Sequence, residues 1–127
     1  MVRLADIGAK RGAGMEYSDA MQKALDFRKE RGWEQFHNAK DLAVSINLEA
    51  SELLELFQWS GSNTEIDDAT TKENAEEELA DVIIYCIYLA DKLGVNIPDA
   101  VARKIDKNAS KYPVAKAKGS SRKYTEL

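Results

Sequence analysis

Much of what makes a protein chemically busy is scarce in this chain of 127 residues. One cysteine, Cys86, excludes an internal disulfide and a thiolate metal cluster, and it fits a reducing, cytoplasmic setting. Cys86 sits in an apolar run with no partner nearby and reads as an inert core thiol. One histidine, His37, leaves no Ser/His/Asp or Cys/His constellation to assemble. There is no G-x-x-x-x-G-K-[ST] loop, which excludes a P-loop nucleotide site. No apolar run approaches the ~18 residues of a membrane span, and no signal-peptide hydrophobic region precedes the body of the chain. Two prolines and seven glycines leave room for long uninterrupted helices. Clean strand alternation is absent throughout.

Charge is present, and it is unevenly placed. Residues 103–123 carry eight basic side chains against one acid, a local charge of +7, while the remainder holds 10 basic and 21 acidic residues, or −11. An acidic body binds nucleic acid polymers poorly, because that affinity comes mainly from neutralising backbone phosphates. An acidic centre with a basic C-terminal segment suits a metal site facing a polyphosphate; the bland alternative is a solvated helix face and a basic tail.

Residues 1–14 show no sustained period and read as a flexible leader, with Met15 a possible second start and residues 15–127 forming one domain. Helix one is expected from Ser18, as N-cap, to near Gly32, with Met21, Ala24, Leu25 and Phe27 inward. Helix two is expected from about Asn38 to Ser60, followed by a Gly61-Ser62-Asn63 loop. A capping box of Thr70 with Glu73 opens helix three, about Thr71 to Leu93, with Gly94 as its stop. Helix four opens around Asn96 and Pro98 and ends by Pro113. The expected fold is all-α, a bundle of four helices. Leu79, Val82, Ile83, Cys86, Ala90 and Leu93 form one stripe of helix three, and Ile84, Ile87, Tyr88 and Leu89 cover much of the rest. A helix apolar nearly all round must be buried, and so small a bundle offers little cover, so a homo-oligomer is expected.

Two acidic pairs carry the chemistry. Glu49 and Glu52 are three apart on helix two, and Glu78 and Asp81 are three apart on helix three; such spacing puts each pair on one face. Packed together, four carboxylates would repel unless a hard cation joined them, and Mg²⁺ takes carboxylate oxygens while keeping waters that phosphates can replace. A single E-x-x-E is weak evidence, since Glu55, Glu73, Glu76 and Glu77 show how common surface glutamates are here. Two pairs set in mostly apolar helix weigh more. Aromatic residues share these faces. Trp59 is seven residues after Glu52, two turns further along nearly the same line, and Tyr85 lies one turn beyond Asp81. Trp59 can stack on a base or cap the core. Trp33 and His37 stand at the turn between helices one and two.

The run Glu49-Ala50-Ser51-Glu52-Leu53-Leu54-Glu55-Leu56-Phe57-Gln58-Trp59, then Glu77-Glu78-Leu79-Ala80-Asp81-Val82-Ile83-Ile84-Tyr85, resembles the E-x-x-E … E-x-x-D pattern of the MazG-like nucleoside triphosphate pyrophosphohydrolases. Trp33-Glu34-Gln35-Phe36-His37, the ending at Trp59 and Ser121-Arg122-Lys123-Tyr124-Thr125-Glu126-Leu127 resemble the dCTP-hydrolysing branch. The resemblance covers roughly residues 18 to 127. It implies an all-α MazG-like bundle, a homodimer or homotetramer with active sites at subunit interfaces. The activity implied is Mg²⁺-dependent hydrolysis of a deoxynucleoside triphosphate, dCTP or a modified dCTP first, to the monophosphate and pyrophosphate, as pool cleaning or balancing. It further implies Glu49, Glu52, Glu78 and Asp81 as metal ligands and Glu52 or Glu55 as the catalytic proton acceptor. Trp33, His37, Trp59, Asp81, Tyr85 and Asn108 are then implied around the nucleoside, with Lys104, Lys107 and Lys111 on the phosphates. One departure stands out: relatives with a nucleotide-contacting histidine on helix one are matched here by Ala24. The rivals are a non-catalytic helical interaction protein and the same fold acting on another non-canonical nucleotide.

Overall fold

Helix ends in this chain are set by a few short polar side chains and by glycine. The computed structural model describes residues 14–127; the leader expected at 1–14 thus lies almost wholly outside the described residues. Contacts divide the chain into two compact units, Met1–Leu89 and Ala90–Leu127. Among the described residues there are helices and turns and no strands. The architecture is all-α, with four long helices as expected.

The first unit begins with α1, Tyr17–Glu30. Ser18 lies inside its first turn and is not the cap expected of it; the capping position falls to Glu16, whose side chain makes no capping bond, while its carbonyl accepts from the Ala20 N–H at 3.0 Å. Gly32, at φ 63°, turns the chain out of α1 in a conformation that costs any residue with a Cβ. A 3₁₀ turn, Trp33–Phe36, leads to α2, Ala39–Glu55. Asn38 caps α2, its side-chain oxygen accepting from the Asp41 N–H at 2.9 Å. Asn38→Ala should therefore cost about 0.5–2 kcal/mol in urea unfolding, with the slope unchanged.

Helix α2 stops five residues before the expected Ser60. The N–H groups of Leu56, Phe57 and Gln58 donate to the carbonyls three residues back, tightening the chain into turns. Ser60 then reaches the Asn63 carbonyl at 2.8 Å through its hydroxyl, and Gly61 takes φ 62°. Local polar bonds and a glycine outcompete the helix, although the apolar pattern runs on through Phe57.

Helix α3, Ala69–Leu93, starts earlier than the proposed capping box. Asp68, rather than Thr70, caps it, with one carboxylate oxygen accepting from the Thr71 N–H at 2.7 Å and the other from the Thr71 hydroxyl at 2.6 Å. These bonds favour the ionised form and hold the Asp68 carboxyl below its ordinary range. The core of this unit gathers on Leu42, Ile87 and Tyr88, all buried. The Tyr88 hydroxyl donates to the Ala24 carbonyl at 3.0 Å and ties α3 to α1. The apolar surround of α3 is incompletely covered within the chain, since Leu79 and Ile83 remain exposed.

In the second unit α3 ends at Gly94, φ 67°, where the Val95 N–H donates to the Ala90 carbonyl at 2.8 Å in a Schellman-type closure. Helix α4, Ile97–Lys111, is capped by Asn96, which accepts from the Asp99 N–H at 3.0 Å, and carries Pro98 in its first turn, as expected. A short helix α5, Val114–Ala117, and a 3₁₀ turn, Tyr124–Glu126, complete the chain. No helix among the described residues is long and apolar enough to cross a membrane.

Candidate active site

Helices α2 and α3 bring three of the four expected ligands together. Carboxylate oxygens of Glu49, Glu52 and Glu78 all lie within 4.8 Å of one another. Oxygens around one Mg²⁺ at 2.0–2.1 Å stand ~3–4 Å apart, so a small closing movement suffices. Burial comes first, and then hydrogen bonding and charge from Glu52, in holding the Glu49 carboxyl above its ordinary range. Hydrogen bonding with Glu52 comes first for Glu78, which is likewise raised, with burial and the charges of Glu52 and Asp81 adding to it. One buried oxygen of Glu78, Oε2, has no hydrogen-bond partner. An all-oxygen donor set, an orphaned buried carboxylate oxygen and protons held by crowding are the marks of a site that fits a hard divalent cation.

Asp81 stands apart from that trio. Its charge acts on Glu49 and Glu78, and its side chain lines a neighbouring cavity. Asp81 thus sits between the carboxylates and the cavity. Glu55, one turn beyond Ser51 at the end of α2, is exposed and outside the trio; it borders a shallow apolar depression with Leu54 and Phe57.

The raised carboxyls have a definite sign in stability. A group whose folded pKa exceeds its unfolded value stabilises the fold at low pH, and that contribution is lost as pH rises through the folded pKa. In a chelator the protein should therefore gain melting temperature from Glu49 and Glu78 as the pH is lowered from neutrality toward the ordinary glutamate range. Adding Mg²⁺ should erase this dependence and release protons. Scanning fluorimetry on wild type and Glu78→Gln, with and without metal, checks it; the variant should show a flatter profile.

The cavity measures about 590 Å³ and is walled by α1, the 3₁₀ turn and α3. Its volume suits a drug-sized or nucleoside-sized ligand. Ala24, Phe27, Trp33, His37, Asp81 and Tyr85 are among its lining residues. Ala24 presents only a methyl group to that wall. Trp33 meets Phe27 edge to face at 5.5 Å, which fixes an aromatic surface at the cavity edge. His37 stacks on Tyr88 at 5.3 Å between ring centres, and Tyr85 meets Tyr88 edge-on at 6.0 Å. Burial, and then the charges of Glu49 and Asp81, raise the Tyr85 hydroxyl above its ordinary range, so it stays a donor at neutral pH. His37 is shifted the other way, lowered by burial and by the charge of Arg28, with Glu34 opposing.

Trp59 is 88% exposed and lies outside the cavity lining. Its expected place two turns along from Glu52 required a helix continuous to Ser60, and α2 ends before it. Lys104, Lys107, Asn108 and Lys111 follow one another along α4 in the second unit; there Lys111 packs its ammonium over the Tyr124 ring at 4.9 Å, and the Asn108 carbonyl accepts from the Tyr112 N–H. Three residues of the first unit escaped sequence reasoning: Phe27 and Tyr88 in the cavity wall, and Arg28 behind it. Arg28 had a signal, since it falls on the apolar stripe of Met21, Ala24 and Leu25 where a charge is out of place.

The MazG-like family profile matches residues 44–127. The chain is 45% identical to dCTP pyrophosphatase 1 of Mus musculus over 113 residues, 86% of this chain and 66% of the mouse protein. It is 44% identical to dCTP pyrophosphatase 1 of Homo sapiens over 112 residues, with the same shares of each. A crystal structure of a pyrophosphatase from Archaeoglobus fulgidus superposes with a TM-score of 0.65 at 38% identity, covering 79% of this chain and 94% of that one. This chain belongs to the MazG-like family. It spans 66% of the length of the mammalian relatives it matches.

Proposed function

We propose that this chain is a nucleoside triphosphate pyrophosphohydrolase that cleaves deoxynucleoside triphosphates, dCTP or a modified dCTP first, to the monophosphate and pyrophosphate. The observation that carries the reading is the junction at Asp81: the same residue lines the nucleoside-sized cavity and acts electrostatically on Glu49 and Glu78 of the carboxylate trio. A triphosphate cannot approach several carboxylates without a cation between them. Mg²⁺, held by Glu49, Glu52 and Glu78 with Asp81 at the edge, supplies neutralisation of the triphosphate charge when bound.

The chain's own residues do the rest. Trp33, braced by Phe27, offers a stacking surface for the base. Neutral His37 and the protonated Tyr85 hydroxyl present hydrogen-bonding groups along the cavity wall. A water oxygen bonds to the α-phosphorus as the bond to the bridging oxygen breaks, pyrophosphate departs, and the water's proton passes to Glu52 or Glu55. The part of Lys104, Lys107, Asn108 and Lys111 rests on their charge and polarity and on the family resemblance, and that of Trp59 on its aromatic face and the same resemblance. Cleaning or balancing of the deoxynucleotide pool is the physiological role that follows.

A panel of the four common deoxynucleoside triphosphates with Mg²⁺, scored for pyrophosphate against orthophosphate, tests this reading. Pyrophosphate release with dCTP ahead of dTTP by roughly ten-fold is expected, the worth of one good polar match to the base. Orthophosphate as the product would overturn the cleavage assignment, and equal rates on all four would overturn the dCTP preference alone.

A further inference from the structure

Behind the cavity wall lies a cation that the proposed chemistry does not use. Arg28 is 5% exposed, the one buried charged residue recorded among those described, and its guanidinium sits 5.0 Å from the centre of the Tyr88 ring. Tyr88 is itself buried and pinned by its hydroxyl to the Ala24 carbonyl. His37 lies on that same ring, nearly parallel at 29°. The imidazole also lines the cavity, and its buried Nδ1 has no hydrogen-bond partner.

We propose that Arg28 is a positioning residue for substrate selection: acting through Tyr88, it fixes the His37 imidazole on the cavity wall as the group that reads the edge of the base. This rests on the proposed function for its substrate. Two physical effects act together. The guanidinium favours the electron-rich face of Tyr88, and Tyr88 in turn gives the imidazole a flat seat, so the ring cannot swing. The positive charge also opposes a second positive charge on His37, which keeps one ring nitrogen an acceptor and the other a donor. A charged imidazole would be a donor at both nitrogens and could no longer accept from a base edge that offers a donor. The groups facing His37 are Arg28 on α1, Glu34 on its own turn, and Tyr85 and Tyr88 on α3, with Lys23 and Asp81 on the shared cavity wall. Of these, Arg28 is the cation whose charge acts on the imidazole.

His37 is the single histidine of the chain, so its Cε1 proton gives one unambiguous titrating NMR signal. The experiment compares wild type, Arg28→Met and Arg28→Lys, following this signal against pH and the dCTP to dTTP ratio of kcat/KM. In Arg28→Met the His37 midpoint should move upward, and the ratio should fall by about threefold or more, within the worth of one polar match. Arg28→Lys, which keeps the charge, should restore most of the wild-type midpoint. An unmoved midpoint with an unmoved ratio in Arg28→Met would overturn the proposal. If Arg28→Met does not fold, Arg28→Lys and Tyr88→Phe carry the test: the first must keep the midpoint near that of wild type, and the second, which frees the ring from Ala24, must reduce the ratio, or the proposal fails. Wild type inactive on every nucleotide would sink the pyrophosphohydrolase reading, while the NMR titration still decides whether Arg28 governs His37.

Discussion

Glu78→Gln is expected to lower kcat/KM by at least a hundredfold and to weaken Mg²⁺ binding, while the helical signal in circular dichroism stays at its wild-type level. The expectation comes from Glu78 being the α3 member of the cluster, brought up to the α2 pair, with its Oε2 buried without a partner. Glutamine keeps the volume and removes the charge, so a folded protein that no longer gathers a cation is the result. Charge stabilisation of a transferring phosphoryl group typically contributes 10²–10³ in rate per group, roughly 2.7–4 kcal/mol. Asp81→Ala should behave alike in turnover. A loss of less than about tenfold, under ~1.4 kcal/mol of transition-state stabilisation, would remove Asp81 from direct contact with metal or substrate. Calorimetry on Glu55→Gln and Glu52→Gln separates a loss of proton acceptance from a loss of metal binding. Glu55 stands outside the trio, so its variant should keep wild-type metal affinity in calorimetry, whereas Glu52→Gln should lose it.

A second large effect concerns assembly. Among the described residues the buried apolar side chains are Leu42, Ile87, Tyr88 and Ala90, whereas Leu48, Leu54, Leu79 and Ile83 stand 39–70% exposed. Each fully buried Leu or Ile is worth ~1.5–3 kcal/mol, and a handful does not offset the conformational entropy of a chain this long. We expect a homodimer or homotetramer with no stable folded monomer. Sedimentation at low micromolar concentration should show a dimer or larger species, and the melting temperature should fall on dilution. A well-folded monomer with a concentration-independent melting temperature would contradict it.

The elements that were legible in the sequence share a local cause. Asn38 capping α2, Asn96 and Pro98 opening α4, and the glycine stops at Gly32 and Gly94 each depend on one side chain, or its absence, acting on backbone within four residues. The acidic pairs were legible for the same reason, because three-residue spacing on a helix determines a face without reference to anything distant. The misses occurred where two local signals competed. Apolar periodicity carried helix two to Ser60, yet the Ser60 hydroxyl and Gly61 closed a turn first, and Trp59 left the line of Glu52. Thr70 with Glu73 fitted a capping box, but Asp68 supplied a stronger, charged acceptor two residues earlier.

Helicity, the four helical segments, the lack of any long apolar run and the two carboxylate pairs were properties of the sequence alone, since each is written in residues close along the chain. Only the tertiary structure decided which carboxylates meet, because Glu78 and Glu49 are brought together by the packing of α3 on α2 and by nothing in their spacing. The same holds for the cavity behind Asp81 and for the stack of Arg28, Tyr88 and His37. Its members come from α1, α3 and the turn between α1 and α2, and a contact of that range carries no sequence signal beyond one arginine standing on an apolar face.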